Sequence, residues 1–156
     1  MFTEELVGDI NSQVVLSRII AWSNDQQTSR PRTNRPISVG VDIVKIERIR
    51  VAVGRWGERF LRRIYTPAEF ACCRGRVPEL AARFAAKEAI SKALGTGISG
   101  ITWREMEILG GERGRPLIRL HGQAKVLAEE LGLSEFAISL SHSQDYAVAF
   151  VVASGG

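Results

Sequence analysis

Arg83-Phe84-Ala85-Ala86-Lys87-Glu88-Ala89-Ile90-Ser91-Lys92-Ala93-Leu94-Gly95-Thr96-Gly97-Ile98 reads as one helix carrying four charges and closed by a glycine. Glu88 and Lys92 are four residues apart, so they share a face one turn apart. That face offers a carboxylate to a hard cation and an ammonium to an anion. Arg83 and Lys87, also four apart, form a second, cationic stripe. Phe84, Ala85, Ala86, Ala89, Ile90, Ala93 and Leu94 lie between the charges and supply enough apolar surface to bury the helix against a core. One acid among three bases on a part-buried helix suits a metal-bound polyphosphate. The same spacing also fits an ordinary amphipathic helix with solvated ion pairs.

A second segment narrows the reading. Ile37-Ser38-Val39-Gly40-Val41-Asp42-Ile43-Val44 alternates as a strand. Ile37, Val39, Val41 and Ile43 fall on one face, and Ser38, Gly40, Asp42 and Val44 on the other. Aspartate is depleted in so β-prone a run. Asp42 therefore needs a metal, a backbone donor or a basic side chain as partner, although a cap or turn role fits the same residue. The strand leads into Lys45-Ile46-Glu47-Arg48-Ile49-Arg50, the start of a basic helix.

These residues carry a resemblance. Val39-Gly40-Val41-Asp42-Ile43-Val44 with Ile46-Glu47-Arg48-Ile49 resembles the first signature of the 4'-phosphopantetheinyl transferases. Arg83 to Ile98 resembles their second signature. Ile138-Ser139-Leu140-Ser141-His142 followed by Tyr146-Ala147-Val148-Ala149 is similar to the C-terminal strand pair of the short, single-domain holo-acyl-carrier-protein synthase type. The resemblance runs from about residue 37 to 153, with its three motifs in the family's order.

Composition bounds the class. The chain has 156 residues, 45% hydrophobic and 24% charged, an ordinary balance for one domain with a core. Its net charge of +4, rich in arginine, suits an anionic partner: a nucleic acid, a membrane, a polyphosphate or an acidic protein. Cys72 and Cys73 are adjacent, form a poor bridge, and with two distant histidines make no zinc pattern. A reduced, cytoplasmic setting is expected. No apolar stretch approaches the roughly 20 residues of a membrane span. The N-terminus lacks the basic and apolar regions of a secretory signal.

Two parts are expected. Residues 1–36 form an extension outside the resemblance. Phe2, Leu6, Ile10, Val14, Ile19 and Trp22 could line a helix over about 3–22, and Asn24 to Pro36 reads as a linker. A packing or partner-binding helix, a loosely attached tail and a misplaced start all remain open for this extension. Residues 37–156 are the expected catalytic domain, an α+β fold with mostly antiparallel strands and the long charged helix packed on them.

Within that domain a helix over Lys45–Val53 is interrupted by Gly54 and Gly57. Thr66-Pro67-Ala68-Glu69 starts a helix with a capping box and stops near Gly75. Pro78 opens the helix carrying Glu88, and Gly95 closes it. Strands over 105–109 and 117–120 flank the hairpin loop Gly110–Pro116. That loop is no phosphate loop, because no lysine-serine pair or helix follows it. A helix over Gly122–Leu131 precedes strands over 136–142 and 146–153.

The resemblance implies transfer of the 4'-phosphopantetheine arm of coenzyme A to a serine of an acyl carrier protein, releasing adenosine 3',5'-bisphosphate. The nucleophile then belongs to the partner, consistent with the lack of a convincing Ser-His-Asp or Cys-His arrangement. Attack at the β-phosphate builds charge on an anionic pyrophosphate, and Mg2+ offsets such charge. Mg2+ takes one or two protein carboxylates, here Asp42 and Glu88. Lys92 is the candidate for stabilising the phosphate. A metal-bound water or a neighbouring acid could take the serine proton.

Arg83, Lys87 and His142 are candidates for coenzyme A phosphates, although a histidine in a strand is as readily structural. Gly95, Thr96 and Gly97 form the turn that lies against coenzyme A in the family, and are equally a plain helix cap. Arg48, Arg55 and Arg59 match the region that docks the acidic recognition helix of the carrier protein, or form a solvated basic face. The resemblance also implies a homotrimer with the site at the subunit boundary. The carrier's pathway, fatty-acid or polyketide synthesis, is left open.

Two other classes compete. One is a non-catalytic basic module binding nucleic acid, against which no aromatic-interleaved basic stretch or helix-turn-helix appears, so no nucleic-acid or membrane partner is expected. The other is a degenerate scaffold, against which Asp42, Glu88 and Lys92 are intact.

Overall fold

The computed structural model describes residues 35–156, which form one compact unit, and the expected helix and linker of residues 1–34 lie outside the described residues. The chain opens with strand β1 (Ile37–Lys45), then helices α1 (Ile46–Ile64), α2 (Pro67–Cys73) and α3 (Val77–Ala93). A hairpin of β2 (Met106–Gly110) and β3 (Pro116–Leu120) follows, then α4 (Gly122–Glu130) and the final hairpin of β4 (Glu135–His142) and β5 (Tyr146–Ser154). The strands make two antiparallel sheets: β1-β5-β4, and β2-β3. The α+β architecture with a long helix on an antiparallel sheet is the one expected.

The helix α3 is the hub. Ala81, Ala85, Ala86, Ala89, Ile90 and Ala93 are buried along its length. Small residues let it lie close to the sheet, and Gly40 shows how close. A Cβ built there would lie 1.9 Å from the carbonyl oxygen of Ala89. Only glycine lets the β1 and α3 backbones meet in this way. Ser38, on the same face, donates its hydroxyl to Ala93 O at 2.5 Å. The face of β1 carrying Ser38, Gly40, Asp42 and Val44 is thus the one turned to the helix.

The other face of β1 is open. Ile37, Val39, Val41 and Ile43 are all more than half exposed. Antiparallel pairing continues this face across β5, where Val39 opposes Val152, Val41 opposes Phe150 and Ile43 opposes Val148. The sheet therefore has two apolar faces, of which α3 covers one.

The helix α1 corrects an expectation. It does not end near Val53 but runs 19 residues to Ile64, with a break at Gly57 (φ 50°, ψ −132°). Gly54 stays helical, because Ile46, Ile49, Ala52 and Ile64 bury one face of the helix. Packing outweighs the ~1 kcal/mol that a mid-helix glycine costs. The helix α2 begins as read: Thr66 accepts from Glu69 N, and Glu69 accepts from Thr66 N at 2.8 Å. Cys72 and Cys73 are both free thiols. Burial pushes the Cys73 thiol up to about 11.

Candidate active site

Asp42 comes from the middle of β1, and Glu88 and Lys92 from successive turns of α3. The close approach at Gly40 and Ala89 sets these two backbones against each other, so the three side chains converge. Lys92 Nζ lies 2.7 Å from Asp42 Oδ1 and donates to Val41 O at 3.0 Å. The Asp42 side chain is 18% exposed and that of Lys92 50%, so the ammonium stands at the mouth of a half-buried acid. Glu88 is held above the usual carboxylate range, first by burial and then by the Asp42 carboxylate, with Lys92 and Arg48 opposing. A carboxylate that feels another carboxylate and two cations marks a charge-dense cluster.

The Asp42 and Glu88 carboxylates, near enough for the first to act on the second, are hard oxygen donors of the kind Mg2+ takes alongside waters and phosphate oxygens. Lys92 occupies only one oxygen of Asp42, leaving the other available. Among the described residues no group of three or more His, Cys, Asp or Glu could hold a metal by itself. A two-carboxylate site completed by a phosphate ligand agrees with that.

The glycine turn after α3 is well defined. Gly95 adopts φ 77°, Gly95 N donates to Lys92 O at 3.0 Å and Thr96 N to Ser91 O at 3.3 Å. These are the two bonds of a Schellman cap. Gly95 and Gly97 are exposed beside Lys92.

Two expected phosphate contacts are overturned. Lys87 is fully buried, donating to Glu69 Oε2 at 2.9 Å, Trp103 O at 2.9 Å and Met106 O at 2.6 Å. Arg83 is 7% exposed; its Nε donates to Ile108 O at 3.2 Å, and Glu79 Oε2 lies 3.6 Å from its guanidinium. The cationic stripe read from the spacing faces inward, because α3 is covered on nearly all sides. Neither cation is presented to an external phosphate. Burial, against the nearby carboxylates, lowers the affinity of Lys87 for its proton.

His142 ends β4, exposed, in register with Ala147 and, through it, with Val44. It shares the sheet face of Asp42 but stands two strands away, roughly 10 Å. The fold does not bring it into the Asp42–Glu88–Lys92 cluster within one chain.

The helix α1 carries the basic surface. Arg48 and Arg55 are seven residues apart and share a face, and all three of Arg48, Arg55 and Arg59 are exposed. Arg50 pairs with Glu47 and Arg62 with Glu58, whereas Arg48, Arg55 and Arg59 have no carboxylate partner among the described residues. Arg55 lies over the Trp56 ring at 5.1 Å.

Beside this helix run two adjoining clefts of about 510 and 490 Å³. They share Trp56, Phe60 and Phe84, and Arg48 and Arg59 stand at their edges. Sequence reading missed this trough, although three aromatics beside a basic helix were a usable signal. Reading also missed Glu69 as anything beyond a cap.

A model of the 4'-phosphopantetheinyl transferase superfamily matches residues 38–151. The chain belongs to that superfamily. It is 52% identical over 123 residues to a holo-[acyl-carrier-protein] synthase of Herpetosiphon aurantiacus, covering 74% of this chain and 97% of the relative. It is 50% identical over 114 residues to one of Dehalococcoides mccartyi, covering 73% and 95%. Two solved structures are similar. The Helicobacter pylori holo-[acyl-carrier-protein] synthase in complex with coenzyme A has a TM-score of 0.68 at 34% identity, over 74% of this chain and 98% of that one. The Neisseria meningitidis enzyme has a TM-score of 0.69 at 38% identity, over 74% and 96%.

Proposed function

We propose that Asp42, Glu88 and Lys92 carry the chemistry by which this chain transfers 4'-phosphopantetheine from coenzyme A to a serine of apo-acyl carrier protein, giving holo-acyl carrier protein and adenosine 3',5'-bisphosphate. The observation that carries this reading is the convergence of the two carboxylates with Lys92, on a chain half identical to holo-acyl-carrier-protein synthases. Asp42 and Glu88 would hold Mg2+, which would offset the charge of the pyrophosphate. Lys92 donates to the phosphate oxygens as charge develops on them. Its ammonium stands half exposed beside Asp42. The Gly95-Thr96-Gly97 turn, with both glycines exposed, lets its backbone approach coenzyme A closely.

Arg48, Arg55 and Arg59, cations without acidic partners among the described residues, dock an acidic carrier helix. Steering by such a face raises the association rate and weakens with salt. The open apolar face of β1 and β5 supports assembly into a homotrimer. Burying each valine, isoleucine or phenylalanine there contributes about 1.5–3 kcal/mol. In such an assembly His142 of one copy is available to a ligand held by another. Among the described residues no helix is long and apolar enough to cross a membrane. A cytoplasmic role in fatty-acid or polyketide synthesis, without nucleic-acid or membrane partners, fits these features.

The test is intact-mass analysis of apo-acyl carrier protein incubated with this chain, coenzyme A and Mg2+. A gain of one phosphopantetheine, abolished by a chelator and by Glu88→Ala, is expected. No gain with several carriers overturns the proposal.

A further inference from the structure

Glu88 has a neighbour whose role the reaction leaves unexplained. Lys87 follows a path about 100° around the helix axis from Glu88, away from the site. Its ammonium has three acceptors: Glu69 of α2, Trp103 O of the turn before β2, and Met106 O of β2. Glu69 is equally committed. Its Oε1 accepts from Ile108 N at 2.9 Å and its Oε2 from Thr66 N at 2.8 Å. Both side chains are 0% exposed. Thr66 in turn donates to Glu107 Oε1 at 2.7 Å. One buried ion pair thus ties α3 to the start of α2 and to β2.

We propose that the Lys87–Glu69 pair is a positioning device that sets the roll of α3 and so holds Glu88 at the geometry its metal requires; the inference rests on the assignment of Glu88 as a ligand. The opposite flank of α3 is seated on β1 by the close Gly40–Ala89 approach, and its directed bonds there, from the Ser38 hydroxyl to Ala93 O and from Lys92 to Val41 O, fall a turn or more beyond Glu88. Rotation about the helix axis is opposed by directed bonds, and Lys87 makes three of them, one residue from Glu88. A carboxylate carried about 6 Å from the axis sweeps about 2 Å for a roll of about 20°. Functional groups need placement within about 0.5 Å, and Mg2+ demands near-ideal octahedral distances. Hydrophobic packing of alanines against a sheet does not define a roll so finely. An ion pair with every acceptor satisfied does.

Buried ion pairs are costly to desolvate, and apolar replacements of similar volume often leave stability unchanged or higher. Lys87→Met with Glu69→Leu removes both charges but leaves the Thr66 and Ile108 amides and the Trp103 and Met106 carbonyls without these partners, so a lower melting temperature is expected and metal binding is measured well below it. Its Mn2+ dissociation constant, measured by electron paramagnetic resonance with coenzyme A present, is expected to rise tenfold or more, as for other residues that orient metal ligands. The Mg2+ concentration giving half-maximal transfer rises in parallel, while the KM for carrier protein, set on α1, stays unchanged.

Glu69→Gln, which keeps one acceptor oxygen but sets its NH2 against the Thr66 or the Ile108 amide, is the second variant and is expected to shift both metal readouts severalfold. Parent-like metal affinity in either folded variant, with the parent itself binding Mn2+ and Glu88→Gln losing it, overturns the positioning role alone. A parent that binds no Mn2+ overturns the ligand assignment and this inference with it.

Discussion

Gly40→Ala tests the contact on which the whole site depends. A methyl group at residue 40 would lie 1.9 Å from Ala89 O, 2.8 Å from Ala89 C and 3.0 Å from Ala93 N. These are backbone atoms of α3 and cannot swing aside as a side chain does. Real contacts of this kind stay beyond 3.0 Å, so α3 must retreat from β1 by about 1.1 Å. Overpacking of this type costs about 1–3 kcal/mol. For a unit of this size that lowers the melting temperature by roughly 4–12 °C.

The functional loss should be larger than the stability loss suggests. Asp42 lies two residues along β1 from the contact, and Glu88 and Lys92 flank Ala89 on α3. The retreat therefore widens the gap between the two halves of the site, and a displacement of about 1 Å can cost roughly 100-fold in rate. The assay is steady-state transfer at saturating Mg2+, at a temperature well below the variant's melting transition. Turnover within threefold of the parent in a fully folded Gly40→Ala protein would refute the reasoning, because the site would not depend on this approach.

Other outcomes follow from the same geometry. Lys92→Ala is expected to lower kcat by about 10²–10³-fold, the scale for one transition-state donor, with the fold intact by circular dichroism. Burial and Asp42 raise the Glu88 pKa, so the folded metal-free protein holds that proton more tightly than the unfolded chain. The stability associated with Glu88 is full below its unfolded value and falls as pH rises through the folded one. Glu88→Gln should therefore stabilise the metal-free protein at neutral pH, with the gain in melting temperature shrinking as pH falls through the raised folded value and gone below about pH 4.5. Arg55→Glu with Arg59→Glu should raise the KM for carrier protein at least tenfold at low salt and leave the KM for coenzyme A unchanged, as titrations of the two substrates will show. If the β1 and β5 face holds the proposed trimer, Val41→Asp, or Phe150→Asp beside it, should yield monomers by light scattering with loss of transfer, since a charge then stands on that apolar face.

Much of this molecule can be read along the chain, because its decisive signals are local. The alternation of residues 37–44 determined a strand with one mixed and one apolar face. The Thr66–Glu69 capping box and the glycine after Leu94 set the ends of two helices through backbone needs that adjacent residues meet. The four-residue spacing of Glu88 and Lys92 put both on one helical face.

Tertiary structure decided what spacing leaves undetermined. Arg83 and Lys87 share a stripe just as Glu88 and Lys92 do, and period alone does not say which stripe meets water. Packing of α3 against the sheet, α2 and β2 turned Lys87 inward onto Glu69, 18 residues earlier, and left Lys92 at the surface beside Asp42, 50 residues earlier. The continuation of α1 through Gly54 was likewise decided by burial of Ile49, Ala52 and Ile64 rather than by propensity. Local periodicity determined the elements and the faces of this protein; long-range burial decided which face became core and which became site, because desolvation acts on whole surfaces that only the folded chain creates.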